Sequence, residues 1–454
     1  MRQIAIIGGG CSAVLIILQI LHQRTQPVRI DIYESAEQIG QGLAYSTSSD
    51  LHRLNVPAAR MGAFADAHDD FFKWASAKGL SIQPGTFAPR PLYAEYLGEL
   101  FTNTVLRHAS TSTVTHVREV VTQVKRDPAD EDRWSVSTSE AVRVGYDGVV
   151  LAIGLPEGSW PASIAGLREA AKGNPDLFVE DVWSCPLNGF AEGTHIGILG
   201  TGLSAIDVTM SILSSSQTSK VTMISRHGLV PAPHFTTSTE AVPPEKALFV
   251  GTLREVVATF SSLLKDYRWD AVIDAIRPHI PRVWSSFSPK ERSLFVRHLR
   301  HRWDVARHRM APEIWENIER WKSEGRLQVV GGKCRSVSIT EQPRKVQIEI
   351  AVEEQLSSSR FDALLNCTGF RELSESDYAG LLHQLVRDGY VQLDPSKSGV
   401  LPSPALSLTL QPGLFVIGAL LRAIRWESIA VPELRQQAAE VAGLLLADSR
   451  FRPN

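Results

Sequence analysis

The chain is poor in cysteine and has no cysteine pair at the spacing of a redox or metal motif. Its four cysteines, Cys11, Cys185, Cys334 and Cys367, are widely separated among 454 residues. This spacing disfavours both a disulfide framework and a zinc site, and it favours a reducing compartment. We therefore expect no bound metal and a cytoplasmic protein.

Long apolar segments and an excess of one charge are also lacking. The apolar run Val14–Leu21 is far shorter than the roughly 20 residues that cross a bilayer. Because it follows a glycine-rich turn, it predicts a buried helix and not a signal peptide. A formal net charge of −2 argues against nucleic acid or an anionic membrane as the main partner. A small-molecule ligand is expected instead, and the sequence does not indicate an oligomeric state.

Two glycine-rich turns stand out among the motifs that are present. The first has the pattern GxGxxA after the apolar run Ile4–Ile7, and its small residues are Gly8, Gly10 and Ala13. The second repeats it after Ile196–Leu199, with Gly200, Gly202 and Ala205. In each copy an apolar helical pattern follows, and then a second strand. Such residues allow a tight turn, close approach to a pyrophosphate and close helix–strand packing, so two dinucleotide sites are predicted.

The two copies differ in the residue that ends the second strand. Glu34 and Arg226 stand at the same distance along the chain from the first glycine of their copies. A carboxylate there accepts hydrogen bonds from ribose hydroxyls, whereas a guanidinium suits a 2′-phosphate. The prediction is therefore one protein with two different dinucleotides, and NADPH is favoured over NADH at the second site.

The fold class that follows is α/β, with two Rossmann-like dinucleotide-binding domains. We expect the first domain over residues 1–160 and again over 369–454, and the second domain over 190–368. A mainly helical insert is predicted at about 244–325, where Ser288–Glu291 forms a capping box. Residues 155–193 are rich in proline and glycine and are predicted to be an irregular linker. The stretches 147–154 and 361–369 resemble each other as buried strands that end at a glycine.

A basic run lies in the predicted insert. Its arginines and histidines fit either a solvated helix face or a group that points into a cleft. In the second interpretation Arg302, Arg307 or Arg309 would bind an anionic substrate or the NADPH phosphate, since arginine pairs well with such groups.

These motifs together resemble the two-dinucleotide flavoproteins, in which an NAD(P) domain is inserted into a discontinuous FAD domain. The ending Asn366–Phe370, followed by Val416–Gly418, carries this likeness. The segments Gly42–Thr47, Leu54–Pro57 and Trp426–Arg435 look more specifically like a bacterial FAD/NAD(P)-binding family that includes flavin-dependent hydroxylases. The likeness covers nearly the whole chain.

The resemblance implies FAD and NAD(P)H as cofactors and O2 as a co-substrate. It places Gly8, Gly10, Ala13, Glu34, Gly42, Asn55 and Gly418 around FAD, and Gly200, Gly202, Ala205 and Arg226 around NAD(P)H. The segment with Glu427 and Ser428 would lie beside the flavin ring, so these two residues and Asn55 are candidate catalytic residues. The lack of a CxxC pair departs from the disulfide reductases that share this architecture.

The predicted function is an NAD(P)H-dependent FAD monooxygenase that hydroxylates a small polar metabolite. Urate, and hence purine degradation, is the first choice of substrate by resemblance alone, and N-hydroxylation of an amino acid or amine is the alternative. A flavin dehydrogenase with another acceptor and a non-catalytic dinucleotide-binding scaffold also remain open.

Overall fold

A computed structural model of the chain describes residues 1–154, 158–237, 239–353, 355–369, 373, 380–395, 398–402 and 408–447. Phe370, from the C-terminal motif, and residues 155–157 of the predicted linker lie outside these ranges. Within them, no helix is both long and apolar enough to cross a membrane. The same residues contain no group of three or more His, Cys, Asp or Glu that could hold a metal ion.

The described residues form two larger, mainly parallel sheets, two antiparallel three-stranded sheets and one antiparallel pair of strands, β16 and β17. Their strands are β1 Arg2–Ile7, β2 Val28–Tyr33, β3 Thr113–Val117, β4 Val121–Asp127, β5 Asp130–Thr138, β6 Val142–Tyr146, β7 Gly148–Leu151, β8 Phe178–Val179, β9 His195–Leu199, β10 Lys220–Ser225, β11 Leu327–Gly331, β12 Lys333–Glu341, β13 Arg344–Val352, β14 Gln355–Phe361, β15 Ala363–Asn366, β16 Gln392–Leu393, β17 Val400–Leu401, β18 Thr409–Gln411 and β19 Leu414–Val416.

Helices cover both parallel sheets and form the insert between β10 and β11. They are α1 Cys11–Gln23, α2 Gly42–Tyr45, α3 Asp70–Ala77, α4 Arg90–His108, α5 Leu167–Ala171, α6 Leu203–Ser215, α7 Leu253–Leu263, α8 Trp269–Ile276, α9 Ile280–Ser286, α10 Pro289–His298, α11 Arg300–Arg307, α12 Pro312–Ser323, α13 Leu381–Arg387 and α14 Val431–Ala447. We call the segment from Leu253 to Arg307, which holds α7 to α11, the insert.

The first sheet has the strand order β18-β19-β7-β1-β2-β3, and only the edge strand β18 runs antiparallel. The residues Ile4–Ile7 of β1 are buried on both faces, as in the centre of a parallel sheet. Helix α1 packs on this sheet and against α14, which arrives from the far end of the chain. The first predicted domain is therefore discontinuous in sequence, as the resemblance implied.

The second sheet has the order β11-β10-β9-β15-β8 and is parallel throughout. It repeats the first: β9, α6 and β10 correspond to β1, α1 and β2. Strands β7 and β15 occupy the same place beside the first strand of each unit. An antiparallel meander accompanies each sheet, β4–β6 in one and β12–β14 in the other. The internal repeat predicted from the sequence is confirmed.

The structure differs from the sequence predictions in the linker and at β14, among other places. The predicted linker contains α5 and β8, and β8 pairs with β15, so this segment supplies an edge strand of the second sheet. Strand β14 was not predicted; its exposed serines gave no apolar signal.

The insert has its own apolar core, built around Val272, Trp284 and Phe287. Trp426, from the segment before α14, belongs to the same core and contacts Trp284 with ring centroids 4.8 Å apart. The insert therefore packs on the C-terminal segment of the first domain.

Candidate functional site

The first glycine turn forms an open cradle at the carboxyl end of β1. Gly8 has a φ of 98°, and a Cβ there would lie 2.5 Å from the carbonyl oxygen of Ala152. Gly10 and Gly42 approach so closely that a Cβ on Gly42 would lie 3.1 Å from the Gly10 Cα. Helix α1 starts at Cys11 with no side-chain cap and no acidic residue in its first turn. Its free N–H groups and dipole therefore fit a diphosphate.

Glu34 is held against this turn at the end of β2. One carboxylate oxygen accepts the N–H of Gly9 at 2.8 Å, and the other accepts the N–H of Ala36 at 2.9 Å. The Ser35 hydroxyl also donates to Oε1 at 3.4 Å, whereas Oε2 keeps a second lone pair, which suits a hydroxyl of a ribose. Ala13 is fully buried and lets α1 pack closely on the sheet.

The turn that follows β19 lies at the same edge of the first sheet. Gly418 has a φ of 84° and donates its N–H to Gln437 Oε1 at 2.9 Å. Gln437 Nε2 in turn donates to the carbonyl of Ser428 at 3.2 Å. The Ser428 side chain is 1% exposed, and its hydroxyl has no hydrogen-bond partner among the described residues. Gln437 thus fastens the segment 418–428 to α14.

The second glycine turn has the same shape but a more open second glycine. Gly200 has a φ of 112°, and a Cβ there would lie 2.1 Å from the carbonyl oxygen of Cys367. A Cβ on Gly202 would meet nothing within 4 Å. Ala205 is fully buried, and α6 starts without a side-chain cap. Gly200 therefore serves the fold, while the space at Gly202 is available to a ligand.

Arg226, the residue after β10, is exposed. The loop that follows it lines a recess of about 470 Å³ between the second sheet and the insert. We define the recess by its lining residues, which are His227, Leu229, His301, Arg302 and Val305. The candidate Arg302 thus lies on the same side of the molecule as Arg226.

Arg307 is a buried structural cation and not a free substrate ligand. Its guanidinium lies 3.1 Å from Glu427 and 3.3 Å from Glu433, and its side chain is 5% exposed. Arg277 pairs with Glu433 at 3.1 Å, so two arginines of the insert meet two glutamates of the C-terminal segment. Burial lowers the pKa of Arg307, and the charge of Glu427 opposes this shift.

Glu427 is held from a second direction as well. Its carboxylate accepts the indole N–H of Trp303 at 2.9 Å, and the residue is 8% exposed. Both oxygens of this candidate catalytic group therefore already have partners in the insert.

Arg309 is also paired, but its partner reaches the surface. Arg309 Nη2 lies 2.9 Å from Asp274 and donates to the carbonyl of Asp270 at 3.2 Å. The Arg309 side chain is 6% exposed, whereas that of Asp274 is 47% exposed. This pair presents an accessible carboxylate with a guanidinium behind it.

His234 links this pair to the first domain, and sequence reasoning missed it. Its Nε2 donates to the carbonyl of Asn55 at 3.1 Å. Burial lowers the pKa of His234 to about 4, and the charges of Arg309 and Asp274 act on the ring. Asn55 is therefore in contact with the second domain through its backbone carbonyl.

Comparison with known proteins agrees with this architecture. Residues 5–156 match the family model NAD_binding_9, described as FAD-NAD(P)-binding. Ornithine hydroxylase from Pseudomonas aeruginosa superposes with a TM-score of 0.61 over 98% of this chain and 98% of its own, at 16% identity. The chain has the fold of the two-dinucleotide flavoproteins.

The same flavoprotein fold occurs with another chemistry. Thioredoxin reductase from Lactococcus lactis superposes with a TM-score of 0.53 over 98% of both chains, at 11% identity. The uncharacterized protein YdhS of Escherichia coli is 22% identical over 277 residues, which are 52% of this chain and 47% of YdhS. The chain thus matches about half the length of this relative.

A polar contact joins the two dinucleotide units of this flavoprotein fold. Arg90 on α4 lies 2.8 Å from Asp207 on α6. His52 Nε2 lies 2.8 Å from the hydroxyl of Ser211 and 3.1 Å from the carbonyl of Asp207. Sequence reasoning missed these residues, although His52 stands just before the Leu54–Pro57 motif.

Proposed function

We propose that the protein is an NADPH-dependent flavin monooxygenase that N-hydroxylates an amino acid or a small amine. The chemistry that FAD supplies when bound is hydride acceptance and activation of O2. The residues of this chain bind the two dinucleotides, orient the amine and keep water from the reacting atoms.

The protonated, unpaired thiols of the four cysteines are the observation that favours this proposal over disulfide reduction, the other chemistry found with this fold. All four cysteines lie within the described residues and are free thiols. Burial raises the pKa of Cys11 to about 12 and that of Cys334 to about 11, and it raises the pKa of Cys185 and Cys367 as well. Thiol–disulfide exchange requires a thiolate, so none of these groups is suited to it.

The Arg309–Asp274 pair supports an amino acid as the substrate class. The charges of both partners act on His234, which donates to the Asn55 carbonyl. A zwitterion can exchange with such a pair: its carboxylate meets Arg309 and its ammonium meets Asp274. The amino acid would first meet the half-exposed Asp274. The Arg309 guanidinium lies behind Asp274 and is held in place by its hydrogen bond to the Asp270 carbonyl.

The first choice of substrate, urate, has no support in these comparisons, and neither has purine degradation. A hydroxylase with ornithine in its name shares the fold over nearly the whole chain. Amino-acid N-hydroxylation, the alternative from the sequence, therefore replaces urate as the proposed reaction.

The test is oxidation of NADPH by the purified yellow protein, followed in air with ornithine, lysine, aspartate and urate in turn. We expect an amine to stimulate oxidation and to gain one oxygen atom by mass. Stimulation by urate alone would contradict the proposal. Oxidation that proceeds equally without oxygen when a dye is added would favour a dehydrogenase, and absence of FAD would exclude both enzymes.

Asp274→Asn tests the substrate site. Removal of one charge-assisted contact, worth about 1.5–3 kcal/mol, should raise the KM of the amine about tenfold or more with little change in kcat. Asp266→Asn, an exposed residue just after α7, is the matched control and should leave KM unchanged. Equal KM values for both variants would remove Asp274 from the site.

A further inference from the structure

The recess between the second sheet and the insert gathers positive charge at the place where a Rossmann strand ends. Arg226 and His227 follow β10 directly, and His301 and Arg302 come from the first turn of α11. The charges of Arg226, His227 and Arg302 all act on the His301 ring, and the charge of Asp304 acts on it in the opposite direction. The recess is therefore suited to an anion.

The two histidines of the recess lie face to face. Their ring centroids are 3.9 Å apart and their planes are inclined by 19°. Two protonated rings at this separation repel each other, and an anion beside them relieves the repulsion. Burial lowers the pKa of His301, and the charges of His227, Arg302 and Arg226 lower it further.

The remaining lining residues are apolar and are fixed to the second glycine turn. Leu229 and Val305 form walls that suit an adenine ring. The Thr201 hydroxyl, within the glycine turn, donates to the carbonyl of Leu229. The carbonyl of Val305 accepts the N–H of Ala232 at 2.9 Å, so the insert and the loop after β10 are bound together.

Ser225, the last residue of β10, is engaged in the same scaffold. Its hydroxyl donates to Thr201 Oγ1 at 3.0 Å and accepts the N–H of Gly228 at 3.1 Å. The serine shapes the loop, and the cations around the recess are the groups left to meet a ligand.

We propose that α11 of the insert completes the NADPH site: His301 and Arg302, with Arg226 and His227, bind the 2′-phosphate as a clamp that takes up a proton. This inference rests on the proposed function for its ligand. The dianionic phosphate draws a proton onto His301, and adenine lies between Leu229 and Val305. Discrimination between NADPH and NADH therefore depends on pH.

The pH dependence of the affinity for a 2′-phosphate is set by protonation of His301 and of the phosphate. Proton uptake on binding makes the affinity for a 2′-phosphate rise as pH falls from 8 towards 6.5. The gain ends near pH 6, because the second pKa of a phosphate monoester is about 6 and the ligand then loses charge. NADH carries no 2′-phosphate, so its affinity should stay constant over the same interval.

The experiment measures binding by calorimetry on the FAD-loaded protein, with NADP⁺, 2′,5′-ADP, NAD⁺ and 5′-ADP at pH 6.5 and pH 8. We expect tighter binding of the 2′-phosphorylated pair at pH 6.5 and uptake of protons, detected with two buffers of different ionisation enthalpy. Equal affinities at both pH values, or binding without proton uptake, would overturn the clamp.

Single substitutions distinguish the contributions of Arg302 and His301 to binding of the 2′-phosphate. Arg302→Gln should weaken 2′,5′-ADP binding about tenfold and leave 5′-ADP unchanged, since it removes one charge-assisted contact. His301→Gln retains a polar side chain but cannot take up a proton, so it should abolish the pH dependence. Arg297→Gln and His298→Gln, exposed at the end of α10, are controls that should behave like the parent protein.

Equal loss of 2′,5′-ADP and 5′-ADP binding in Arg302→Gln would assign Arg302 to a general structural role and contradict the proposal. The assay does not depend on turnover. A protein that shows the clamp but oxygenates no amine would refute the proposed function alone.

Discussion

At the scale of single residues, glycines that hold equivalent places in one motif have different duties. Gly200 sits against the carbonyl of Cys367 with a positive φ, so the backbone itself requires a residue without a side chain. Gly202 has ordinary extended geometry and open space around its Cα. The backbone requires the first glycine, and we predict that the second leaves space for a ligand.

Alanine substitution should separate these duties. Gly202→Ala should change the free energy of unfolding by less than about 1 kcal/mol and should remove most NADP⁺ binding, because the methyl group occupies the space for the diphosphate. Gly200→Ala should lower the free energy of unfolding by several times that amount, since the methyl group meets a carbonyl. Urea denaturation and calorimetry measure both; retained NADP⁺ affinity in Gly202→Ala would contradict this assignment.

Glu34 makes an equally direct prediction for FAD. Glu34→Gln removes the charge that holds the Gly9 N–H and is expected to meet the ribose, so FAD affinity should fall about tenfold or more. Quenching of FAD fluorescence on titration of the apoprotein gives the affinity. Glu37→Gln, an exposed neighbour, serves as the control and should bind FAD normally. An unchanged Glu34→Gln would mean that the first site does not use this carboxylate.

At the scale of elements, the insert is joined to the first domain by buried charge. Arg277 and Arg307 from the insert meet Glu427 and Glu433 just before and within α14. The indole N–H of Trp284 also donates to the carbonyl of Ala423 at 2.9 Å. These contacts join segments that are more than 100 residues apart in sequence.

Removal of one member of this network should be costly. Arg307→Met leaves Glu427 buried without its ion pair and should lower the free energy of unfolding by about 3–5 kcal/mol. The double variant Arg307→Met/Glu427→Gln should recover part of that loss, because no unpaired charge remains. Arg297→Met, exposed on α10, should be nearly neutral. Urea denaturation gives all four free energies, and a neutral Arg307→Met would show that the pair contributes nothing net.

The sequence predicted the repeated βαβ units because local patterns determine them. Glycine turns, apolar strands and the GxGxxA helices are all contained within short windows. It did not predict β8, whose two residues become a strand only by pairing with β15, nor the contacts of the insert with Glu427. The basic run of the insert was seen, but only tertiary packing divides it into the buried Arg307, the paired Arg309 and the exposed Arg302.

At the scale of the whole molecule, buried histidines couple the arrangement of the two units to pH. His52 contacts α6 across the interface, and His234 donates to Asn55 from the other side. Burial lowers the pKa of both rings, to about 4 for His234. The native state therefore binds fewer protons than the unfolded state below the ordinary histidine value of 6.5.

Stability should accordingly fall as pH decreases from about 6.5 to about 4. Protonation of Asp207 has the opposite effect on stability at acidic pH. Burial raises the pKa of Asp207, so the native state binds this proton more tightly than the unfolded state. His234→Gln keeps a donor for the Asn55 carbonyl but cannot titrate, so its unfolding free energy should depend less on pH. Urea denaturation at pH 7.5 and pH 5 measures the free energy of unfolding. An equal change in this free energy between the two pH values for parent and variant would exclude His234 as a contributor.

The fastening of segment 418–428 has a consequence for the exchange of the two cofactors. Gln437 ties this segment to α14, and the Arg307 network ties it to the insert. We predict that release of FAD requires several of these buried contacts to open together. The recess at Arg302 faces solvent and needs no such opening. We therefore expect prolonged dialysis to leave the protein yellow while nicotinamide nucleotide is lost quickly, so that flavin acts as a permanent part of the enzyme and NADPH as a substrate renewed in each turnover.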